Sequence, residues 1–268
     1  MIRNIAKLLA FLKRDFLSEV SYRVAFFFGI AGILFTLATF YFFSKMIRPD
    51  TEGLHGIDPF AWLLVGLAFQ YYFSTALFAF SARIRNEQLL GTLEAMLVSP
   101  TPTSVVIFSS AAWDFTYGAI RVLAYLTFAT LVFGVTLHTE SLGTLAIGLA
   151  LTLLSSAGLG ILSASFILYF KRGDPINFFL SALTTLFGTV FFPAEKLPDS
   201  IRWVSDYLPI TSSLAIVRGS LLQGRPFAEL SGPLLHLAAM TAVLLPLGLA
   251  LSRVAIRKAK REGTLIQY

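Results

Sequence analysis

Long apolar runs separated by short polar segments dominate the chain. Each run holds about 20 or more mostly apolar residues, enough to cross a bilayer as a helix, except one that stops after 17 residues at Pro193. The pattern therefore predicts an all-α membrane protein with six spans. The predicted spans are residues 24–44, 59–82, 104–137, 144–170, 176–192 and 234–252.

The fourth run is rich in small side chains, which allow helix backbones to approach closely where lipid provides no hydrophobic drive for association. These residues are Ser155, Ser156, Ala157, Gly158 and Gly160. We expect close packing of this span against a neighbour.

Two stretches outside the runs have an amphipathic helical pattern. Residues 1–23 repeat apolar side chains at helical spacing with basic residues between them, which predicts a helix on the inner membrane surface. Between spans two and three, the stretch from Asn86 to Pro100 places leucines on one arc and Glu87 and Glu94 at its polar edge. Pro100 cannot continue a helix, so we predict a surface helix over residues 86–98.

Prolines, charges and an amphipathic run alternate over residues 193–224, just before the last span. The marked positions of this segment are Pro193, Pro198, Pro209 and Arg218. We interpret the segment as a helical hairpin dipping into the outer leaflet. Its backbone must pack against protein, because lipid cannot satisfy open amides.

The composition supports a membrane location. The chain of 268 residues is 56% hydrophobic and 13% charged, against about 25% charged in soluble proteins. Of the 21 Lys and Arg residues, 14 lie in predicted inner segments and six in outer ones. This asymmetry favours both termini, including a basic tail at residues 255–268, in the cytoplasm. The net charge of +6 is thereby explained without a nucleic-acid partner.

Few residues suggest chemistry within the spans. The three histidines are scattered and cysteine is absent, so we predict no metal site. Asp114 and Arg121 share a helix face, and each would cost about 2.5 to 3.5 kcal/mol at mid-membrane. They are either a proton or substrate relay or, as we favour, a structural polar network. His236 is interpreted as a hydrogen-bonded packing residue.

Aromatic side chains on spans two and five are candidates for lining an apolar substrate cavity in a dimer. They are Phe69, Tyr72, Phe73, Phe179 and Phe187.

Three motifs follow one another along the chain. The first is GTLE from Gly91 to Glu94, followed by Ser99 and Pro100. The second is FPAEKLP, followed by Pro209, Arg218 and Gly224, and the third is the ending REGTLIQY. The first resembles the cytosolic coupling region of type-two ABC exporter permeases of the drug, antibiotic and lipid export branch. The second resembles the outer re-entrant signature of that family, and the third is similar to endings of its bacterial members.

The resemblance implies a permease of the cytoplasmic membrane that pairs with a second copy or a homologous permease and binds two ABC ATPase subunits. The chain has no G-x-x-x-x-G-K-[ST] motif, so ATP and Mg²⁺ would be bound by the ATPase, and the chain itself would not be an enzyme. The implied ATPase-coupling residues are Glu87, Leu90, Gly91, Thr92, Leu93, Glu94 and Leu97. Without the resemblance, these acids would indicate only a solvated helix face.

Other functions stay open on hydropathy alone. A secondary transporter would show internal repeats and more ionisable residues at mid-depth. A membrane-embedded enzyme would need a clustered set of catalytic groups. A channel subunit working without an ATPase is a further alternative.

Overall fold

The computed structural model describes residues 12–13, 16–17, 23–47, 53–89, 103–170 and 175–262. The described elements are α1 (Arg23–Ser44), α2 (Pro59–Leu89), α3 (Thr103–Phe133), α4 (Leu142–Phe170), α5 (Pro175–Phe187), a 3-10 turn (Ala194–Lys196), α6 (Asp199–Asp206), α7 (Pro209–Leu222) and α8 (Phe227–Glu262). Within these residues five helices, α1, α2, α3, α4 and α8, are long and apolar enough to cross a membrane. The predicted all-helical membrane fold is confirmed at this level, and the six-span layout stays a prediction.

Helix α2 lies at the centre of the main core. Of its apolar window, 67% of the residues are buried, against 17% in α1. Phe69 and Phe73 of α2 pack in the same cluster as Leu214 and Val217 of α7. The hairpin helix α7 is therefore part of the protein core, as its backbone requires in a membrane.

The predicted close packing of the fourth span is confirmed. All five of its small residues are buried. A Cβ on Gly158 would lie 2.8 Å from the carbonyl carbon of Leu244, and one on Gly248 would lie 2.7 Å from the Gly158 oxygen. The backbones of α4 and α8 thus touch, and only glycine fits at this crossing.

Two predicted spans are helical over a shorter range than expected. Helix α3 ends at Phe133 because Gly134 adopts a φ of 68°, the left-handed conformation that commonly terminates helices. Helix α5 ends at Phe187, and residues 188–192 continue without helical structure. At 13 residues, α5 is about 20 Å long, shorter than the hydrocarbon thickness of about 30 Å.

Helix α8 exceeds its predicted range at both ends. It contains the whole predicted last span and continues into the predicted basic tail, where Ala255 is 2% exposed.

The predicted surface helix at residues 1–23 lies almost entirely outside the described residues. The predicted hairpin segment is helical, in the 3-10 turn, α6 and α7, while its depth in the outer leaflet stays a prediction.

Candidate coupling site

A buried arginine joins the hairpin to two other parts of the fold. Arg218 on α7 is 3% exposed. Its Nη1 donates to the Thr189 carbonyl at 2.8 Å, and its Nη2 donates to the carbonyls of Trp62 and Val190 at 3.0 Å each. Its guanidinium carbon also lies 3.5 Å from the centre of the Trp62 ring. One side chain therefore connects α7, α2 and the segment after α5.

The backbone turns just after α5, and this turn presents the Thr189 and Val190 carbonyls to Arg218. The Gly188 amide returns to the Thr184 carbonyl at 2.9 Å, and Thr189 takes a φ of 56°, which is uncommon for a residue with a branched side chain. On α2, a Cβ at Gly66 would overlap the Val190 oxygen and lie 2.7 Å from Arg218 Nη2. Glycine at position 66 lets the three elements meet.

A glutamine joins α2 to α5, about two turns further along α2 than Trp62. Gln70 is 9% exposed, and its Nε2 donates to Thr185 Oγ1 at 2.9 Å and Thr184 Oγ1 at 3.3 Å. In apolar surroundings an amide of this kind needs such partners.

An asparagine joins three helices near the other end of α2. Asn177 of α5 is fully buried, and its Nδ2 donates to Ser81 Oγ of α2 at 2.6 Å. Ser163 of α4 donates its hydroxyl to Asn177 Oδ1. Ser81 and Ser163 are no more than 2% exposed.

These contacts form a line along α2, which we call the polar column. It consists of Ser81, Gln70 and the Trp62 carbonyl on α2, with their partners Asn177, Thr184, Thr185 and Arg218. From Trp62 to Ser81 an α-helix rises about 28 Å, close to the hydrocarbon thickness. Hydrogen bonds between membrane helices contribute about 0.6 to 2 kcal/mol each and are directional, so the column fixes α5 and α7 against α2.

Of the predicted ATPase-coupling residues, only Glu87 lies within the described residues. Glu87 is part of α2, whose described range ends at Leu89. Leu90, Gly91, Thr92, Leu93, Glu94 and Leu97 lie outside the described residues, so their role stays a prediction. Sequence reasoning missed Gln70, Ser81, Ser163 and Asn177. For Gln70 and Asn177 a signal was available, because an isolated amide within an apolar run needs a hydrogen-bond partner.

Arg121, one of the two predicted intramembrane charges, contacts a tyrosine of α2. Arg121 Nη1 donates to the Tyr71 hydroxyl at 2.9 Å, and its guanidinium lies 4.2 Å from the centre of that ring. Asp114, the other predicted intramembrane charge, is partly buried. Arg121 thus has a polar neighbour, as the structural interpretation expects. His236 Nδ1 lies 3.0 Å from Ser212 Oγ, so the predicted hydrogen bond is present, while the residue itself is exposed rather than packed inside.

The five cavity candidates do not share one environment. Phe69, Tyr72 and Phe73 are buried in the main core, whereas Phe179 is 60% exposed and Phe187 is half-buried. Their joint role in a dimer cavity stays a prediction.

The hairpin prolines lie where elements begin. Pro193 precedes the 3-10 turn, Pro198 precedes α6 and Pro209 is the first residue of α7.

The sequence profile described as ABC-2 type transporter matches residues 6–222, most of the chain and all of the polar column. The chain belongs to this family. It is therefore a permease component of an ABC transporter and a multi-pass membrane protein, and such a component is not a catalytic enzyme on its own. A search of curated proteins finds no match.

In an ABC-2 permease, the polar column lies along the helix that precedes the predicted ATPase-coupling segment. The family typically works with ABC ATPase partners, and α2 is the helix that leads toward residues 86–98. The polar column connects this helix to the segment after α5 and to the hairpin. The permease thus has polar contacts at three levels of its central helix, near Trp62, Gln70 and Ser81.

Proposed function

We propose that this permease is the membrane subunit of an ATP-driven exporter of the drug, antibiotic and lipid branch. It forms the substrate pathway as a dimer with a second copy or a homologous permease. Two separate ABC ATPase subunits, which carry ATP and Mg²⁺, drive it. It lies in the cytoplasmic membrane with both termini in the cytoplasm, an orientation supported by the excess of Lys and Arg in the inner segments.

The continuity of α2 carries this proposal. Helix α2 runs from Pro59 to Leu89 without a break, so its last turn already belongs to the segment proposed to contact the ATPase. A displacement of residues 86–98 is therefore passed into α2 as a rigid element. Through the polar column, α2 moves α5 and the Arg218 anchor of the hairpin with it. The proposal thus links ATPase closure to movement at the outer face.

The test removes the carboxylate proposed to contact the ATPase. We expect Glu94→Ala and Glu94→Arg to leave the permease in the membrane but to weaken ATPase binding or uncouple hydrolysis from transport. Charge reversal should have the larger effect, because it opposes a basic partner. The measurements are copurification of the ATPase and hydrolysis in proteoliposomes over a panel of apolar compounds and lipids.

The matched control is Glu229→Ala, which removes an exposed carboxylate from the first turn of α8. It should retain binding, hydrolysis and transport. Wild-type transport and hydrolysis in both Glu94 variants would remove the coupling role. Transport by the permease without any ATPase would remove the proposed function itself.

A further inference from the structure

A cavity of about 190 Å³ lies beside the Arg218 anchor. Its walls come from the turn before α2, the first turns of α2, the 3-10 turn and the last turns of α7. The polar and aromatic side chains that line it include His55, Trp62, Glu195, Arg218, Gln223 and Arg225. This concentration of nitrogen-bearing side chains distinguishes the cavity from the surrounding apolar core.

The charges around the cavity do not balance. Arg218 is buried, and among the described residues its guanidinium bonds carbonyl oxygens and forms no ion pair. Arg225 adds a second positive charge, and Glu195 is the one carboxylate in the lining. Glu195 Oε1 lies 4.0 Å from His55 Nε2. Two arginines against one glutamate leave an excess positive charge even when His55 is neutral.

Unsatisfied donors occur on the same side chains. Trp62 Nε1 and Arg218 Nε are buried N–H groups that have no hydrogen-bond partner in the described part of the chain. Gln223, in contrast, donates its Nε2 to the His55 carbonyl at 3.1 Å. Buried donors are rarely left without an acceptor, and a buried charge favours a counter-ion.

We propose that this cavity binds one anionic oxygen group, a carboxylate or a phosphate. Its volume is below the range of about 300 to 1,000 Å³ that holds drug-sized ligands, so it fits a single small group. Arg225 attracts the group beside the buried Arg218 charge, and Glu195 opposes it. The group comes from a small soluble anion or from the headgroup of a lipid, since both present the same oxygen chemistry.

Tryptophan fluorescence provides a direct readout. The chain has three tryptophans, and Trp113→Phe with Trp203→Phe leaves Trp62 as the single reporter in the cavity wall. The full-length permease, purified in dodecyl maltoside, is titrated with sodium phosphate, sodium acetate or phosphatidylglycerol at constant ionic strength. We expect a saturable change in Trp62 emission with at least one of these probes.

Two variants should move the affinity in opposite directions. Arg225→Gln should weaken binding and Glu195→Gln should tighten it, each by about threefold, as expected for partly exposed charges. The matched control is Lys45→Gln, which removes a positive charge beside a neighbouring cavity that also includes Asp58 and should not change the affinity. Opposite shifts from one Arg and one Glu cannot arise from general loss of folding.

The probes separate the two sources. A response to phosphate or acetate assigns a soluble anion, and a response to phosphatidylglycerol alone assigns a lipid headgroup; either result supports the site. The proposal is overturned if none of the three probes gives a saturable response. It is equally overturned if Arg225→Gln and Glu195→Gln bind the responding probe with wild-type affinity.

Discussion

Helices α1 and α2 have similar apolar character and very different places in the fold. Both contain windows apolar enough to span a membrane, yet 17% of the α1 window is buried against 67% in α2. Helix α1 exposes large side chains such as Phe27, Phe28 and Phe35, each at least 68% exposed. Helix α2 carries Gly66 and Gln70 at its contacts. Apolar content places both helices in lipid, and α2 is central because its small and polar residues meet other helices, whereas Gly32 of α1 has nothing within 4 Å of its Cβ position.

The same difference separates two cations, one just after the end of α1 and one beside the first turns of α2. Lys45, just after α1, lies 4.8 Å from the Tyr41 ring centre and is exposed. Arg218 lies 3.5 Å from the Trp62 ring centre, is buried and also bonds three carbonyls. The aromatic contact is common to both, so burial and the carbonyl bonds make Arg218 an anchor.

The largest expected effect comes from removing that anchor. Arg218→Ala leaves the Trp62, Thr189 and Val190 carbonyls without their guanidinium donors and opens a void, so we expect a loss of about 3 to 5 kcal/mol in stability. Lys45→Ala should change stability by no more than about 0.5 kcal/mol. Thermal loss of the monodisperse chromatographic peak in detergent measures both. Equal melting temperatures for the two variants would contradict the difference between the helix ends.

Gly66 of α2 and Gly32 of α1 have different surroundings, so their substitution by alanine should have different effects on stability. Gly66→Ala places a methyl group against the Val190 oxygen, whereas a Cβ on Gly32 of α1 has nothing within 4 Å. We expect Gly66→Ala to cost about 1 to 3 kcal/mol through overpacking. Gly32→Ala should be neutral or slightly stabilising. Thermal unfolding followed by tryptophan emission tests the pair, and an equal gain in stability in both variants would mean that helix propensity decides instead.

The smallest expected effect is a difference in stability loss between two variants. One variant removes hydrogen bonds between helices, and the other removes a hydrogen bond within a single helix. Asn177→Ala removes the contacts to Ser81 and Ser163, and we expect a loss of about 0.6 to 1.7 kcal/mol. On α1, the Thr39 hydroxyl bonds only the Phe35 carbonyl of its own helix among the described residues, at 2.9 Å. Thr39→Ala should therefore be nearly neutral. Melting curves at several detergent concentrations should resolve the difference, and its absence would argue against a stabilising column.

Part of the candidate site was predictable from local pattern. The apolar runs indicated the spanning helices, the small residues of span four indicated its close crossing, and Arg218 was marked as a hairpin residue. The helix ends at Phe133 and Phe187 were not predicted, because they depend on the backbone conformations of Gly134 and of residues 188–189. The burial of Phe69 and Phe73 was also missed, since a helix that is apolar all round does not indicate which face meets protein.

The sequence by itself determined that this protein is helical, lies in a membrane and belongs to a family of permeases. These properties follow from the lengths of the apolar runs and from the order of its motifs. Only the tertiary structure decided which polar residues meet. Ser81 and Asn177 are 96 positions apart, Gln70 and Thr184 are 114 apart, and Trp62 and Arg218 are 156 apart. Contacts at such separations depend on how whole helices pack, which no local pattern specifies.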